Sequence, residues 1–392
     1  MTLSTPPSEP NLLPSFELAA ESGLTDHVEN AIELKEVEGL SQGKIVFRRF
    51  IRHKGAIAGF VVLLAIAILS VTSVGIGPLH GWWKYAPDPT YPIVNGGDPT
   101  LHLPHWLGGS GFTIGQHPWG QDDIGKDNFA RVMKGTQMSL MIMVVIGIMV
   151  LVIGVVIGAL AGYFGGLLGS LLMRATDLVI TLPVIVIGAV LGKLAGSYNG
   201  ALMPFLLALA LGAITWTGMA RLVRAEYLTL RERDFVDAAR VAGASDLRIM
   251  VKHILPNAMG VIIVQVTLIM AAAIVLETAL SYLGFGVTAP HVSLGELINE
   301  YQSAFATRPW LFWYPGMFII LIALSVNFIG DGLRDAFDPR QKRIPSERAM
   351  DRAAQRTAGS AEQGRGRATS AGQGDGGGPG TEGGATEARG AE

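Results

Sequence analysis

The chain has 392 residues, of which 49% are hydrophobic and only 16% charged, with a formal net charge of −2. Soluble domains carry about 25% charged residues, so this composition excludes an ordinary soluble enzyme and fits an integral membrane protein. Cysteine is absent, which excludes disulfides, thiolate catalysis and cysteine-ligated metals.

Residues 1–43 are acidic, carry prolines near their start and have no sustained apolar face. They bury too little apolar surface to offset chain entropy, so a disordered tail is expected. A spanning helix needs about 20 apolar residues. Six runs qualify, at 56–74, 139–162, 178–192, 201–220, 258–276 and 310–330. The first begins too deep in the chain, and lacks too clearly a small-residue cleavage site, to be a cleaved signal peptide.

The stretch 75–137 between the first two spans is long and rich in Trp82, Trp83, Tyr85, Tyr91, Trp106, Trp119 and several prolines. Such aromatics predict an interfacial belt or local packing rather than specific recognition. Gly154, Gly158, Gly162 and Gly166 recur every four residues along span two. That spacing predicts one ridge on which a second helix packs closely. Span three is short and contains Pro183. It is expected to extend back through Arg174 and Asp177, which lie three apart on one face and can pair with each other.

Span five ends near Glu277. An ionisable residue in a span is a candidate for a translocation pathway or gate; the alternative is a hydrated structural residue at the external interface. Residues 344–392 are mostly Ala, Gly, Glu, Arg, Ser and Thr, and a second disordered tail is expected there.

Lys and Arg set the orientation. They cluster before span one (Lys44, Arg48, Arg49, Arg52, Lys54), between spans four and five (Arg221, Arg224, Arg231, Arg233, Arg240, Arg248, Lys252) and after span six (Arg334, Arg340, Lys342, Arg343). The loop between spans three and four holds only Lys193, and the loop between spans five and six only Arg308. Both termini and the 221–257 loop are therefore expected in the cytoplasm.

That loop contains an island at 235–257, FVDAARVAGASDLRIMVKHILPN. Residues 235–241 favour a helix, and Gly243 breaks it where a left-handed corner comes at low cost. Ser245 is placed to cap a second helix with Asp246 at its positive end. Pro256 should stop or kink that helix and redirect the chain into span five. Asp237 offers a carboxylate to a basic partner, and the small Ala238 and Ala239 allow close approach.

Asp237-Ala238-Ala239, then Gly243, then Leu255-Pro256 resembles the EAA loop of ABC importer permeases: Glu-Ala-Ala, three residues, Gly, nine residues, Ile, one residue, Leu-Pro. The spacing matches throughout. Asp237 stands for Glu and His253 for Ile. The segment from Gly120 to Arg131 (GQDDIGKDNFAR) is similar to one that precedes span two in C-type oligopeptide/dipeptide permeases, with differences at Gln121, Lys126 and Ala130. LETALSYLGFG from Leu276 and GDGLRDAFDPR from Gly330 resemble further segments of that family. The likeness runs over residues 45–343.

The resemblance implies an all-α integral membrane protein of six transmembrane helices with the type I ABC importer permease fold. Residues 44–343 form the permease domain, with 75–137 external and 221–257 as the coupling loop. It further implies a bacterial inner (plasma) membrane location and four kinds of partner. These are a second permease, two cytoplasmic ABC ATPases, an extracytoplasmic solute-binding protein and the lipid bilayer; nucleic acid is not among them. Asp237, Ala238, Ala239, Gly243, Leu255 and Pro256 become the ATPase-coupling residues.

ATP hydrolysis needs Gly-x-x-x-x-Gly-Lys-Ser/Thr to cradle phosphates, and the glycine-rich 108–115 lacks that lysine. No nucleophile–base or paired-carboxylate arrangement stands out. The chain is therefore expected to have no catalytic residue, no metal and no cofactor of its own, with ATP and Mg used by the partner ATPases. Peptide import is the expected function. The alternatives are import of another solute such as nickel, or an ion-coupled secondary transporter, which would want charges and broken helices at mid-membrane.

Overall fold

A computed structural model describes residues 42–102, 111–197, 200 and 202–337. The expected disordered tails lie outside the described residues, except for 42 and 43. So do Pro104, Trp106, the start of the glycine-rich stretch at 108–110, and 338–343 of the closing segment.

Twelve helices are described. They are α1 (Gln42–Arg52), α2 (Lys54–Val74), α3 (Asn128–Phe164), α4 (Gly166–Ile180), α5 (Val184–Gly196), α6 (Met203–Thr215), α7 (Thr217–Leu230), α8 (Asp234–Val241), α9 (Asp246–Arg248), α10 (Leu255–Tyr282), α11 (Leu294–Tyr301) and α12 (Trp310–Phe337). Strand is confined to two antiparallel two-residue pairs among the described residues. Gly75–Ile76 (β1) pairs with Leu79–His80 (β2), and Leu101–His102 (β3) with Thr113–Ile114 (β4).

Helices α2, α3, α12 and the run Asp246–Tyr282 are each long and apolar enough to cross a membrane alone. Two bent pairs supply the other two spans, α4 with α5 at 81° and α6 with α7 at 45°. All six expected spans are present, but the third and fourth are not straight. At the third, Pro183 has no N–H to donate and biases Leu182 away from helix. At the fourth, Thr215 Oγ1 bonds back to the Leu211 carbonyl at 2.9 Å and Trp216 Nε1 to Ala213 at 2.9 Å. Such back-bonding competes with the helical ladder and bends it.

The long α3 is the central element. Its start is fixed by Asp127, whose carboxylate accepts from the Ala130 N–H at 2.8 Å, a strong N-cap. Its end is fixed by Gly165 and Gly166, both at positive φ. Gly154, Gly158 and Gly162 face α7. A Cβ there would sit 2.5 Å from Met219 Cγ, 2.6 Å from the Ala220 carbonyl and 2.6 Å from Tyr227 Cβ. The partner of the glycine ridge is thus the second half of span four. Gly166 is not part of that ridge. A Cβ on it would meet nothing within 4 Å, and its role is to let the chain turn left-handed out of α3. On the opposite face of α3, Val144, Ile148, Val152 and Val156 are exposed, as a lipid- or subunit-facing row requires.

The described residues of 75–137 form a folded cap on the bundle. Trp83 packs on Phe129 with ring centroids 4.7 Å apart, and its Nε1 donates to Asp127 at 2.9 Å. Trp119 stacks on Tyr314 of α12 at 4.4 Å. Tyr85 stacks on His117, whose Nδ1 lies 2.6 Å from Asp127. The fully buried Gln121 accepts from the Val94 N–H and donates to the carbonyls of Pro92 and Gly125. These aromatics are largely local packing, as their composition suggested; Trp82 remains exposed.

Candidate functional site

The island begins with α8. Val236 is fully buried, while Asp237 is exposed and pairs with Arg240 at 3.0 Å. The helix closes through Ala242 and Gly243: the Gly243 N–H donates to Arg240 and the Ala244 N–H to Ala239, both at 3.0 Å. Gly243 has φ +79°, with nothing within 4 Å of where a Cβ would stand. Its backbone angle, not crowding, requires glycine.

Two expectations fail beyond this corner. Ser245 has the extended backbone of an N-cap, but its side chain makes no capping bond. Pro256 does not stop the chain, because Asp246–Tyr282 is one continuous helical run. Residues Ile249–Ile254 are π-helical, and Leu255 and Pro256 open the α-helical stretch that follows. The wider π turn frees the backbone partners that an α ladder would demand.

The underside of the island is anchored. Ile249 and Ile254 are fully buried with Val236 and Tyr227. Tyr227 donates to the Met250 carbonyl at 3.1 Å, and Tyr163, near the end of α3, donates to Asp246 at 2.6 Å. Arg231 Nη1 donates to the Gly162 and Tyr163 carbonyls at 3.2 Å each, satisfying orphan acceptors at the end of α3. The outer face is bare. Val241 is 89% and Leu247 70% exposed, and Ala238 and Asp237 lie beside them.

The Arg174–Asp177 pair is also corrected. Asp177 bonds to Arg221 of α7 at 2.6 Å. The bend that Pro183 imposes leaves α4 beside α7, where an arginine from the next span reaches it first.

At the opposite end of α10, Glu277 is fully buried, which removes the hydrated-interface alternative. Ser139 Oγ of α3 donates to one carboxylate oxygen at 3.0 Å, and Ser281 Oγ to the other at 2.8 Å. Each serine in turn accepts a backbone N–H from the loop after span five, Ser139 from Leu294 at 3.2 Å and Ser281 from Val287 at 3.0 Å. Because a carboxylate only accepts, it turns both hydroxyl protons inward and leaves their lone pairs for the loop. Glu277 thus pins residues 287–294 to spans two and five.

A second cluster at this end was missed by sequence reasoning. Arg131, nearly buried on the first turn of α3, is bidentate to Glu300 of α11 at 2.9 and 2.6 Å and also donates to Tyr301. Asp122 lies 3.8 Å and Glu296 3.9 Å from the guanidinium. Burial, then the charge of Glu300, pushes the Glu296 carboxyl up to about 8, against the pull of Arg131. Burial also acts to raise Glu300, but its bond to Arg131 and that arginine's charge outweigh it and hold Glu300 low. Tyr301 is raised, chiefly by burial. The segment from Gly120 to Arg131 displayed Asp122 and Arg131, but their partners lie about 170 residues away and carried no local signal.

The bundle thus carries an anchored island at one end and a pinned loop at the other. Residues 154–343 match the family described as binding-protein-dependent transport system inner membrane component. Residues 41–93 match the N-terminal TM domain of oligopeptide transport permease C. The oligopeptide transport system permease protein OppC of Escherichia coli is 33% identical over 318 residues, covering 81% of this chain and 98% of that protein. OppC of Mycobacterium tuberculosis is 34% identical over 310 residues, covering 78% and 98%. The inward-facing MetNI methionine ABC transporter superposes with a TM-score of 0.44 at 19% identity, over 53% of this chain and 96% of that one. The class is an inner-membrane permease of a binding-protein-dependent transport system. Within it, the chain belongs to the oligopeptide transport permease C family.

Proposed function

We propose that this chain is one of two permease subunits of an ATP-driven importer of oligopeptides or dipeptides. The observation that carries the reading is the two-faced island: apolar side chains stand exposed on a short helical corner whose other face is bonded to α3 and α7. Bare valine and leucine outside a span call for a protein partner. Asp237, Ala238 and Ala239 form the contact face for a cytoplasmic ATPase, Gly243 sets the corner, and Leu255-Pro256 leads into span five. Both termini lie on the island's side of the membrane, which the Lys and Arg distribution supports. ATP and Mg belong to the two partner ATPases, and a solute-binding protein delivers cargo to the external cap. Glu277 acts at the external gate as a fixed point.

Closure of the ATPases would push on the island, and Tyr163, Tyr227 and Arg231 would pass that displacement to the ends of spans two and four. This is a two-state element biased by nucleotide. The test is uptake of a labelled tripeptide, and of nickel, by cells lacking the chain and re-supplied with it or with its Asp237→Lys or Gly243→Val forms. Restored ATP-dependent peptide uptake, lost in both variants together with co-purification of the ATPases, is expected. Restoration of nickel uptake alone selects the metal alternative. Variants that keep assembly and transport refute the docking role.

A further inference from the structure

The island's side of the molecule also holds an open groove of about 900 Å³ bounded by α1, α10 and α12. Its walls include Ile45 and Val46 of α1, Val261, Val264 and Leu268 of α10, and Phe337 of α12. Two cations, Arg49 and Arg334, open into the same space. Arg334 makes no ion pair with any described residue, whereas the neighbouring Asp335 is held by His53 at 3.2 Å.

Helix α1 explains where this groove lies. At 100° per residue, Val46, Phe47, Phe50 and Ile51 form one arc of the helix, and Lys44, Arg48, Arg49 and Arg52 form the other. Phe47 is 65% and Ile51 51% exposed. Only His53 separates α1 from the first residue of span one. A helix of this kind lies in the membrane surface, apolar arc toward the acyl chains and basic arc among the headgroups. The groove opens beside it and follows α10 from Asn257 to Leu268, a rise of about 16 Å toward the membrane interior.

The lining selects its occupant. A soluble phosphate would use the arginines and leave the valine and leucine wall bare. A neutral acyl chain would cover the wall and leave the exposed cation Arg334 at the groove's mouth without an anion beside it. A molecule that joins a phosphate to an acyl chain satisfies both. Lys44, Arg48, Arg52 and Lys54 nearby add positive potential, which favours a lipid of net negative charge over a zwitterionic one.

We propose that this groove is a binding site for one anionic phospholipid, its phosphate between Arg49 and Arg334 and an acyl chain along Val261, Val264 and Leu268. The site is independent of which solute is carried.

The test uses the full chain in its complete transport complex, purified in mild detergent and exchanged against equal phosphatidylglycerol and phosphatidylcholine. Lipid that co-elutes is counted per chain by mass spectrometry. About one phosphatidylglycerol per chain is expected, favoured over phosphatidylcholine by about tenfold. Arg334→Gln should cut retention by about fivefold, the factor for one headgroup-facing cation. Val264→Trp should also cut it by filling the apolar wall, with Arg334 intact. Lys44→Gln, outside the groove, should change it little. Equal retention of the two lipids, or an equal loss in Lys44→Gln and Arg334→Gln, overturns the proposal. So does a photo-crosslinker at Val261 that captures a protein subunit instead of lipid.

Discussion

The two ends of the bundle are built on opposite plans. At the cap end, buried polar groups bind one another across distant parts of the chain: Arg131 to Glu300, Ser139 to Glu277 and Leu294, Asp127 to Trp83 and His117. At the island, three side chains hold the underside and the outer face is left apolar and bare. A buried network has one good geometry and is costly to disturb. A surface fixed from one side can shift as a unit and accept a partner on the other. The molecule thus places its rigidity at the cap and its freedom at the island.

The largest effect should come from the cap end. Arg131→Met would leave Glu300 and Glu296 without their cation, a loss of about 3–5 kcal/mol, read as a fall in the thermal unfolding midpoint of the purified protein. Leu247→Ser on the island's outer face should leave that midpoint unchanged. A tolerated Arg131→Met would abolish the contrast between the ends. Next is Gly158→Val, whose added atoms meet the Ala220 carbonyl and Val223. Overpacking there should cost about 1–3 kcal/mol, again in the unfolding midpoint.

Tyr163→Phe removes the bond to Asp246 and should cost only about 0.5–1.5 kcal/mol. Its mark should be functional, with fewer peptides moved per ATP hydrolysed. Unchanged stoichiometry would show that the α3 anchor does not transmit motion. A further mark is a pH slope. Glu296 is held above its ordinary 4.5, at about 8. Its contribution to stability is full below pH 4.5 and is lost as pH rises through about 8. Glu300, held low, runs the other way and loses its contribution only in acid. The unfolding midpoint should therefore fall between pH 5 and 8.5, and Glu296→Gln should flatten that fall.

Some of this architecture was readable in the residues. Spans announce themselves by uninterrupted apolar runs, and the corner at Gly243 by a glycine between two helix-forming stretches. The ridge Gly154–Gly158–Gly162 was readable as a contact, but a four-residue repeat names no partner, and Gly166 shares the spacing while serving a turn. The 45° bend at Trp216 came from Thr215 bonding back to its own helix, an option any threonine has and few use. Glu277 could be placed near a span end, but whether it met water or Ser139 depended on a residue 138 positions away. Long-range pairing of this kind leaves no periodicity to read.

The π segment has a consequence for how span five is counted. Among its buried residues, Ile249 and Met250 stand five and four before Ile254, and Ala258 and Ile262 follow at intervals of four. An α-helix advances about 100° per residue, so one extra residue in a turn rotates everything after it by about that much. A wheel drawn straight through from Asp246 would take Ile249 off the stripe that Ile254, Ala258 and Ile262 share. The chain spends one residue as a phase correction, so the island can face Tyr227 while span five keeps its own inward stripe. Removing a single residue between Met250 and His253 would dephase the two, even though no contact residue had changed.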